Sequence, residues 1–213
     1  MKLYSYWRST TSYRVRAALN LKGVAYETIP VDLVAGDQGS DAYRALNAGA
    51  GVPTLVLEDG TALTQSMAIL EYIDATWPEP ALIPTDPIKR ARMMAVAHGV
   101  SMDIHPVNNL RVVGQLGARF GATPAQKKDW MQHWMAQGFT ALETQVRDDT
   151  GFAFGDAPDL ADLCIVSQMY NAERWELPVE AFPKLTRISQ NCLAIPAIKA
   201  AHPDNQPDAK EHT

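Results

Sequence analysis

The sequence predicts a two-domain protein: an α/β N-terminal domain with the order β-α-β-α-β-β-α, followed by an all-α C-terminal domain. Strand-like and helix-like patterns alternate up to about residue 80, whereas strand patterns are missing after residue 87. The stretch between these two regions is rich in proline, which breaks helices. We therefore place the first domain at residues 1–80, a linker at 81–87 and the second domain at 88–213.

The elements of the first domain are short and follow one another closely. Alternating apolar residues indicate strands, and apolar residues three or four positions apart indicate helices. The first helix ends at Gly23, a residue typical of helix C-termini, and Asp59-Gly60 is typical of a hairpin turn. The predicted strands are 2–6, 26–33, 54–57 and 62–64, and the predicted helices are 12–22, 41–46 and 65–76.

The second domain shows helical patterns throughout. The spacing of Asp159 and Asp162 is typical of a capping box, which predicts the start of a helix there. The chain from His202 onward is polar and contains two prolines, so we expect it to lie over the surface. The predicted helices are 89–119, with an interruption at Pro106, 124–147, 160–175 and a set of short helices after residue 182.

Composition excludes several classes of function. The 213 residues include 19 Lys and Arg against 24 Asp and Glu, and the net charge of −5 argues against a general nucleic-acid binder. No apolar run approaches the ~18 residues that a membrane helix needs. The chain begins in a strand pattern and shows no secretory leader. We therefore expect a cytoplasmic protein with no nucleic-acid or membrane partner.

The two cysteines, Cys164 and Cys192, do not form a CxxC motif. This usage fits a reducing compartment without a disulfide framework, and it argues against a thioredoxin-type redox enzyme. We predict that both thiols are buried and that neither carries the activity. The histidines have no metal-ligand spacing to cysteines or acids, so we predict no metal site.

Three segments of the first domain carry groups suited to a ligand. Residues 8–14 place four hydroxyl side chains at a helix start, where they either cap the helix or stabilise an anion such as a thiolate. Residues 52–54 contain either a plain trans proline that opens a strand or a turn that exposes the backbone of Val52 to an extended peptide. Gln65-Ser66 either caps a helix or binds a carboxylate. Together they suit a small extended peptide with a thiol and free carboxylates.

The segment 9–19 resembles the Ser-Ser-Cys-x-Trp-Arg-Val-Arg-Ile-Ala-Leu signature of zeta-class glutathione transferases. The resemblance covers nearly the whole chain and, within the family, is greatest to bacterial enzymes that isomerise maleylpyruvate. It implies a thioredoxin-like N-terminal domain, an all-helical C-terminal domain, a homodimer, a cis bond before Pro53 and glutathione as cofactor. Further matching segments are 22–27, 45–47, 52–55, 65–72, 161–164, 171–174, 202–203 and 206–208.

The resemblance also implies roles for individual residues. It places Ser9, Thr10 and Thr11 around the glutathione sulfur, and it assigns Arg8 and Arg174 to a small dicarboxylate substrate, whose ends suit guanidinium groups. The positions that it implies for binding glutathione are Gln38, the backbone of Val52, Gln65, Ser66, His105, Asn109 and Arg111.

The residues alone leave simpler roles open at three of these positions. Arg8 is equally a surface arginine, and Arg174 is equally a partner for Glu173 or Glu176. The family commonly has glutamine where this chain has His105. The histidine side chain either tunes the ionisation of the thiolate, forms a hydrogen bond to a carboxylate, or has only a structural role. The chain also has Thr11 where the family usually has cysteine. We infer that glutathione brings the only sulfur needed; side activities that depend on that cysteine are affected by the change.

The activity that the resemblance implies is glutathione-dependent cis–trans isomerisation of maleylpyruvate to fumarylpyruvate, in the gentisate route of aromatic degradation. A thiolate adds to the double bond, the resulting single bond rotates, and the thiolate is eliminated. Isomerisation of maleylacetoacetate in the homogentisate route of tyrosine degradation is an alternative. A general glutathione S-transferase and a non-catalytic glutathione-fold binding protein remain further alternatives. The arginine pair favours an isomerase, and the intact thiol site favours a catalyst.

Overall fold

The computed structural model of the protein describes residues 1–211. Its N-terminal part contains a four-stranded sheet with the strand order β2-β1-β3-β4. Strand β1 (Lys2–Ser5) runs parallel to β2 (Glu27–Pro30) and antiparallel to β3 (Thr54–Val56), which pairs antiparallel with β4 (Ala62–Thr64). The helices between the strands are α1 (Thr10–Leu21), α2 (Asp41–Leu46) and α3 (Ser66–Thr76). The predicted order β-α-β-α-β-β-α is confirmed.

The core of this part forms where the sheet and the helices bury their apolar residues. Leu3 of β1 lies opposite Leu55 of β3, and both side chains are fully buried. Helix α1 contacts α3, and each contributes fully buried side chains, among them Leu19 and Ile69. Burial of such a side chain contributes about 1.5–3 kcal/mol, so the sheet and its helices hold the loops between them in place.

The remaining helices are α4 (Pro87–His98), α5 (His105–Val107), α6 (Leu110–Phe120), α7 (Pro124–Gln145), α8 (Leu160–Arg174), α9 (Pro183–Ala194) and α10 (Pro196–Ala200). The helix predicted over 89–119, with an interruption at Pro106, is divided into more pieces in the structure. A π-helical turn, Gly99–Ile104, follows α4, and the chain breaks again before α6. Pro106 has no amide hydrogen to donate to the preceding turn, which favours such an interruption.

The π-helical turn lies close to α7 because Gly138 has no side chain. A Cβ atom at Gly138 would overlap Ile104, which is itself buried. At the other end of the turn, a Cβ atom at Gly99 would lie 3.0 Å from Leu142. The two glycines therefore allow the irregular turn to approach α7 and to set the position of the residues that follow it.

The chain divides into two compact units, and the division after Leu82 lies within the predicted linker at 81–87, whereas the end of the chain does not join the second unit as predicted. One unit comprises Met1–Leu82 together with the chain from Leu193 onward, and the other comprises Ile83–Cys192. The end of the chain thus belongs with the sheet, where α10 contacts α1. Fully buried Arg16 of α1 explains this association, because its guanidinium donates to the carbonyl of Ala201 at 3.1 Å.

The expectation that the chain from His202 onward lies over the surface is wrong for residues 202–209, and residues 212–213 lie outside the described part of the chain. Two short 3₁₀ turns, Pro203–Asn205 and Pro207–Glu211, follow α10. The side chains of Pro203, Gln206, Asp208 and Ala209 are buried. The polar residues among them are held by hydrogen bonds that composition does not reveal, such as those from the Gln206 amide to the carbonyls of Ala200 and His202.

None of the helices within residues 1–211 is both long enough and apolar enough to cross a bilayer.

The capping box at the start of α8 is confirmed. The Asp159 carboxylate accepts the amide hydrogens of Ala161 at 2.8 Å and Asp162 at 3.3 Å. Asp162 in turn accepts the amide hydrogens of Asp159 and Ala153, both at 2.7 Å. Burial raises the pKa of Asp159 to about 6, and burial and the neighbouring carboxylate raise the pKa of Asp162 well above its ordinary value.

These raised pKa values predict a pH-dependent stability. Between the ordinary aspartate pKa of 3.8 and about 6, the folded chain binds more protons than the unfolded chain. The contribution of Asp159 to the free energy of unfolding is therefore full below pH ~4 and is lost as the pH rises through ~6. Urea unfolding from pH 4 to 7 should show that Asp159→Ser, which keeps a capping oxygen, reduces the decline in stability over this range.

The exposed acid Asp156 provides the matched control, and Asp156→Ser should leave the pH dependence unchanged. A wild-type slope that Asp159→Ser does not alter would show that Asp159 ionises normally.

Candidate active site

The hydroxyl residues after β1 form the N-terminus of α1. Ser9 has an extended backbone and is the N-cap residue, and its Oγ accepts the amide hydrogen of Ser12 at 3.2 Å. Thr10 begins the helix and is buried, whereas Ser9 and Thr11 are half-buried. The structure therefore brings the three predicted thiol-site residues together at the positive end of a twelve-residue helix dipole.

The hydrogens of these hydroxyls are arranged in one direction. Thr11 Oγ1 donates to the carbonyl of Val52 at 2.8 Å, and Ser9 Oγ lies 2.8 Å from Thr11 Oγ1. A carbonyl only accepts and a hydroxyl has one hydrogen, so the hydrogen between the two side chains belongs to Ser9. A hydroxyl chain thus runs from the amide of Ser12 through Ser9 and Thr11 to the carbonyl of Val52.

The hydroxyl chain explains how threonine suits this position. Thr11 joins the start of α1 to the loop before β3, and this requires a hydroxyl donor rather than a strong nucleophile. A ligand anion beside Ser9 receives its hydrogen when the hydroxyl rotates away from Thr11. When no anion is present, Thr11 Oγ1 accepts the hydrogen of Ser9.

The loop before β3 is held by residues to which the sequence analysis assigned no role. The Val52–Pro53 peptide bond is cis, as the resemblance implies. Tyr43 donates to the carbonyl of Gly51 at 2.6 Å, and the Asn47 amide donates to the same carbonyl at 2.8 Å. Both side chains are buried, and both also contact the hydroxyl of Thr54. Asn47 lies in one of the segments that carry the resemblance, and that is the sequence signal that could have found it.

Gln65 and Ser66 occupy the junction between β4 and α3. Gln65 has a φ of 67° and a ψ of 113°, which is unusual for a residue with a side chain. Its side chain makes no capping bond to the helix, and Ser66 is buried in the first turn of α3. The first amides of an eleven-residue helix lie here, so the junction presents donors suited to a carboxylate.

Gln38 lies in the 3₁₀ turn Asp37–Gly39 and presents an unused acceptor. Its Nε2 donates to the carbonyl of Leu33 at 3.4 Å. Its Oε1 is buried and has no hydrogen-bond partner among the described residues. Such an oxygen suits the amide hydrogen of a peptide ligand. With the helix N-termini and the loop before β3, it makes this unit fit a thiol tripeptide with free carboxylates.

Arg8 directly precedes the hydroxyl chain. Its Nη2 donates to the hydroxyl of Tyr6 at 3.2 Å, and its Cζ lies 4.9 Å from the Trp7 ring centroid. Both rings are buried while Arg8 is half-buried. The guanidinium is thus supported on aromatic faces and keeps donor hydrogens for an anion.

The other four predicted site residues belong to the helical unit. Asn109 is the N-cap of α6 and accepts the amide hydrogen of Arg111 at 3.1 Å, while its Nδ2 lies 3.4 Å from His105 Nε2. Trp130 fixes this loop by donating to the carbonyl of Val107 at 2.9 Å. His105 at the start of α5 and Arg111 in the first turn of α6 therefore lie on either side of Asn109, around the junction of these two helices.

Arg174 is the last residue of α8 and is exposed. It donates to Asn171 Oδ1 at 3.3 Å, and its Cζ lies 6.0 Å from the Tyr170 ring centroid. Glu176, one of the acids considered as its partner, forms a salt bridge with Lys128 at 2.5 Å.

Both cysteines are buried, as predicted. Cys164 and Cys192 are each fully buried, and burial raises the pKa of Cys192 well above its ordinary value. A buried neutral thiol is a poor nucleophile. Within residues 1–211, no group of three or more histidine, cysteine or acidic side chains has the geometry of a metal site.

Comparison with known proteins identifies relatives along the whole chain. Residues 8–76 match the family model of the glutathione S-transferase N-terminal domain. The chain is 46% identical to maleylacetoacetate isomerase of Pseudomonas aeruginosa, with 98% of each chain covered. It is 40% identical to maleylpyruvate isomerase of a Ralstonia species, with 98% of this chain and 100% of the relative covered.

Solved structures give the same result. The holo structure of maleylpyruvate isomerase, described as a bacterial zeta-class glutathione S-transferase, has a TM-score of 0.95 at 40% identity and covers 98% of this chain and 99% of its own. Maleylacetoacetate isomerase from Anaeromyxobacter dehalogenans, with glutathione in its active site, has a TM-score of 0.87 at 46% identity and coverages of 98% and 97%. Another structure of that protein holds dicarboxyethyl glutathione and citrate in the active site.

The backbone of Gln65 predicts an unusual order of stability for two variants. Glycine adopts a positive φ readily, whereas alanine does not, so Gln65→Gly should be more stable than Gln65→Ala by about 1 kcal/mol. Urea unfolding measures the difference. At Ser66, which is helical, the order should reverse and the alanine variant should be the more stable. A more stable Gln65→Ala would show that Gln65 has an ordinary backbone conformation.

Proposed function

Because the chain belongs to the zeta class of the glutathione S-transferase family, we propose that it catalyses cis–trans isomerisation of maleylpyruvate to fumarylpyruvate. It is an enzyme, a glutathione-dependent isomerase, and glutathione is its cofactor. One observation carries the proposal most directly. Both cysteines are buried, and the hydroxyl of Thr11 is bonded to the carbonyl of Val52, so the sulfur must come from the cofactor.

Most of the residues that would hold glutathione lie in the sheet-containing unit, whereas His105, Asn109 and Arg111 belong to the helical unit. Ser66 and the first turn of α3 bind the γ-glutamyl carboxylate, together with the Gln65 side chain. The backbone of Val52 and the free Oε1 of Gln38 bind the cysteinyl-glycine part. His105, Asn109 and Arg111 supply further polar groups. When bound, glutathione supplies the thiolate that adds to and leaves the substrate double bond, which permits rotation.

The chain lowers the pKa of that thiol with groups already at the start of α1. Lowering a thiol pKa of about 8.5 by two units requires about 2.7 kcal/mol. A helix N-terminus contributes about 0.3–1 kcal/mol, or up to ~2 when partly buried, and a hydrogen bond to a charged group adds about 1.5–3. Ser9 and α1 therefore suffice together, with no need for a neighbouring cysteine or lysine.

The substrate is held through its charge. A maleyl keto acid carries a carboxylate at each end, and guanidinium groups bind carboxylates through two parallel hydrogen bonds. Arg8, supported by Tyr6 and Trp7, binds one end. Arg174 binds the other and keeps its donors near the helix end through Asn171. An enzyme for apolar electrophiles would gain nothing from these charges, which weakens the alternative of a general transferase.

Maleylacetoacetate is the second candidate substrate. It shares the maleyl group, and sequence identity to its isomerase in Pseudomonas aeruginosa supports it, whereas structural similarity to maleylpyruvate isomerase supports the first candidate. We also propose that the protein is a cytoplasmic homodimer, for which gel filtration provides the test. A non-catalytic binding protein would have no reason to keep the hydroxyl chain of Ser9 and Thr11.

The decisive experiment supplies purified protein with maleylpyruvate or maleylacetoacetate, with and without glutathione, and follows the fumaryl product. The proposal expects product only with glutathione and a higher kcat/KM for maleylpyruvate. A preference for maleylacetoacetate would establish the second candidate, and conjugation without isomerisation would establish a transferase. S-methylglutathione, which binds without a free thiol, should support no turnover.

Replacing Ser9 should change the ionisation of bound glutathione. Ser9→Ala removes the hydrogen bond to the thiolate, so the thiol pKa should rise by about one to two units, equivalent to about 1.5–3 kcal/mol. The pKa of the bound thiol is measured by following the ultraviolet absorbance of the thiolate as the pH is varied. Ser9→Thr keeps both the hydroxyl and the helix cap and should restore the pKa. An unchanged pKa in Ser9→Ala would assign thiolate stabilisation to other groups.

Replacing Arg174 should separate substrate binding from cofactor binding. Arg174→Ala should lower kcat/KM for the maleyl substrate about 100-fold, because a charged hydrogen-bond pair is lost, and leave glutathione affinity within about two-fold. Steady-state kinetics with each component varied in turn provide both values. The exposed Arg119 is the matched control, and Arg119→Ala should match the wild type. Wild-type turnover by Arg174→Ala would remove this residue from the site.

A further inference from the structure

The segment that leads into Arg8 is held by two charged side chains, one in α1 and one near the end of the chain. The amide of Trp7 donates to Asp208 Oδ2 at 2.9 Å, in a buried hydrogen bond that spans 201 residues of sequence. The carbonyl of Trp7 accepts from Arg16 Nη2 at 3.0 Å. Trp7 therefore lies between a buried anion on its amide side and a buried cation on its carbonyl side.

Each of these bonds restrains a different peptide group. The carbonyl of Trp7 belongs to the peptide that joins it to Arg8, and Arg16 fixes that plane. The amide of Trp7 belongs to the preceding peptide, and Asp208 fixes that one. With both planes fixed, the indole ring and the backbone of Arg8 have little freedom to turn, because only rotation about two backbone bonds separates neighbouring planes.

The end of the chain also packs against the aromatic support of Arg8. Ala209, next to Asp208, forms a buried apolar cluster with Tyr6 and Trp7. Leu33 and Val52 pack against the same cluster. Through Ala209, the final 3₁₀ turn therefore belongs to the cluster that contains the rings under the Arg8 guanidinium, and Val52, whose carbonyl ends the hydroxyl chain, packs against this cluster.

The burial of Asp208 is unusual for a residue with so few partners. The side chain is 5% exposed, and its Oδ1 has no hydrogen-bond partner among the side chains that the structure describes, those of residues 1–209, or their backbone. Burying a carboxylate for a single amide hydrogen is unfavourable compared with an apolar residue of similar size. Such local departures from favourable packing are typical of residues that serve a functional geometry.

From these contacts we propose that Asp208 is a positioning residue for the substrate arginine, so that the C-terminal turn sets the place of the Arg8 guanidinium. This inference rests on the proposed function, in which Arg8 binds a substrate carboxylate. Asp208 acts through Trp7 and does not touch the substrate. Displacement of a binding group by about 1 Å lowers the rate of an enzyme up to about 100-fold, so a small movement of Trp7 is sufficient.

Asp208→Ala tests the proposal. It should lower kcat/KM for the maleyl substrate about 10- to 100-fold and leave the KM for glutathione within about two-fold. Asp208→Asn keeps an oxygen that accepts the Trp7 amide hydrogen and should recover most of the activity. Asp204, an exposed aspartate in the same terminal segment, is the matched control, and Asp204→Ala should equal the wild type.

A double-mutant cycle with Arg8→Ala separates positioning from general stability. If Asp208 acts through Arg8, Asp208→Ala should change kcat/KM by less than about two-fold in the Arg8→Ala background. An equal loss in both backgrounds would assign Asp208 a purely structural role and overturn the proposal, as would wild-type kinetics for Asp208→Ala. Should Asp208→Ala not fold, Asp208→Glu, whose longer side chain displaces the oxygen that accepts the Trp7 amide hydrogen, carries the same cycle.

Hydrogen exchange separates this proposal from the proposed function. The Trp7 amide should exchange faster in Asp208→Ala than in the wild type, a readout that needs no turnover. Absence of isomerase activity in the wild type would refute the proposed function alone. Unchanged protection of the Trp7 amide in Asp208→Ala would refute the positioning role alone.

Discussion

The site depends on one chain of hydrogen bonds, from the amide of Ser12 through Ser9 and Thr11 to the carbonyl of Val52. It ties the positive end of α1 to the loop before β3, the two segments that the proposed function assigns to the thiolate and the backbone of glutathione. Since each hydroxyl has one hydrogen, the chain has a direction, and the Ser9 hydrogen becomes available to an anion when the Ser9 hydroxyl rotates away from Thr11. The rest of the sheet-containing unit keeps these two segments in place.

Much of the architecture could be predicted from the sequence because local signals and tertiary packing agree there. The helix Asp41–Leu46 and the strand Ala62–Thr64 lie where their patterns predict. The helix predicted over 89–119, with an interruption at Pro106, lacked the π-helical turn Gly99–Ile104 because this irregularity depends on tertiary packing. The close approach of α7 at Gly138 has no counterpart in the periodicity of residues 99–104.

The residues of the candidate site could be predicted from the sequence for a different reason. The residues of the hydroxyl chain lie within a motif of consecutive positions, so the sequence alone identifies them. Asn47, Tyr43 and Asp208 were missed because their importance lies in long-range bonds to backbone groups, which composition and spacing do not encode. A polar terminal segment indicates an exposed tail by composition, yet its buried carboxylate holds a backbone amide two hundred residues earlier. Such hydrogen bonds from distant side chains fix the backbone of a loop, and the spacing of residues does not reveal them.

The central claim is that the reacting sulfur belongs to the cofactor and not to the chain. A variant with both cysteines replaced, Cys164→Ala/Cys192→Ala, tests it most directly, because every thiol of the protein is then removed. The account predicts that the folded variant isomerises the maleyl substrate at the wild-type kcat with glutathione and not at all without it. Loss of turnover in the folded variant despite saturating glutathione, or wild-type turnover without any added thiol, would contradict the account.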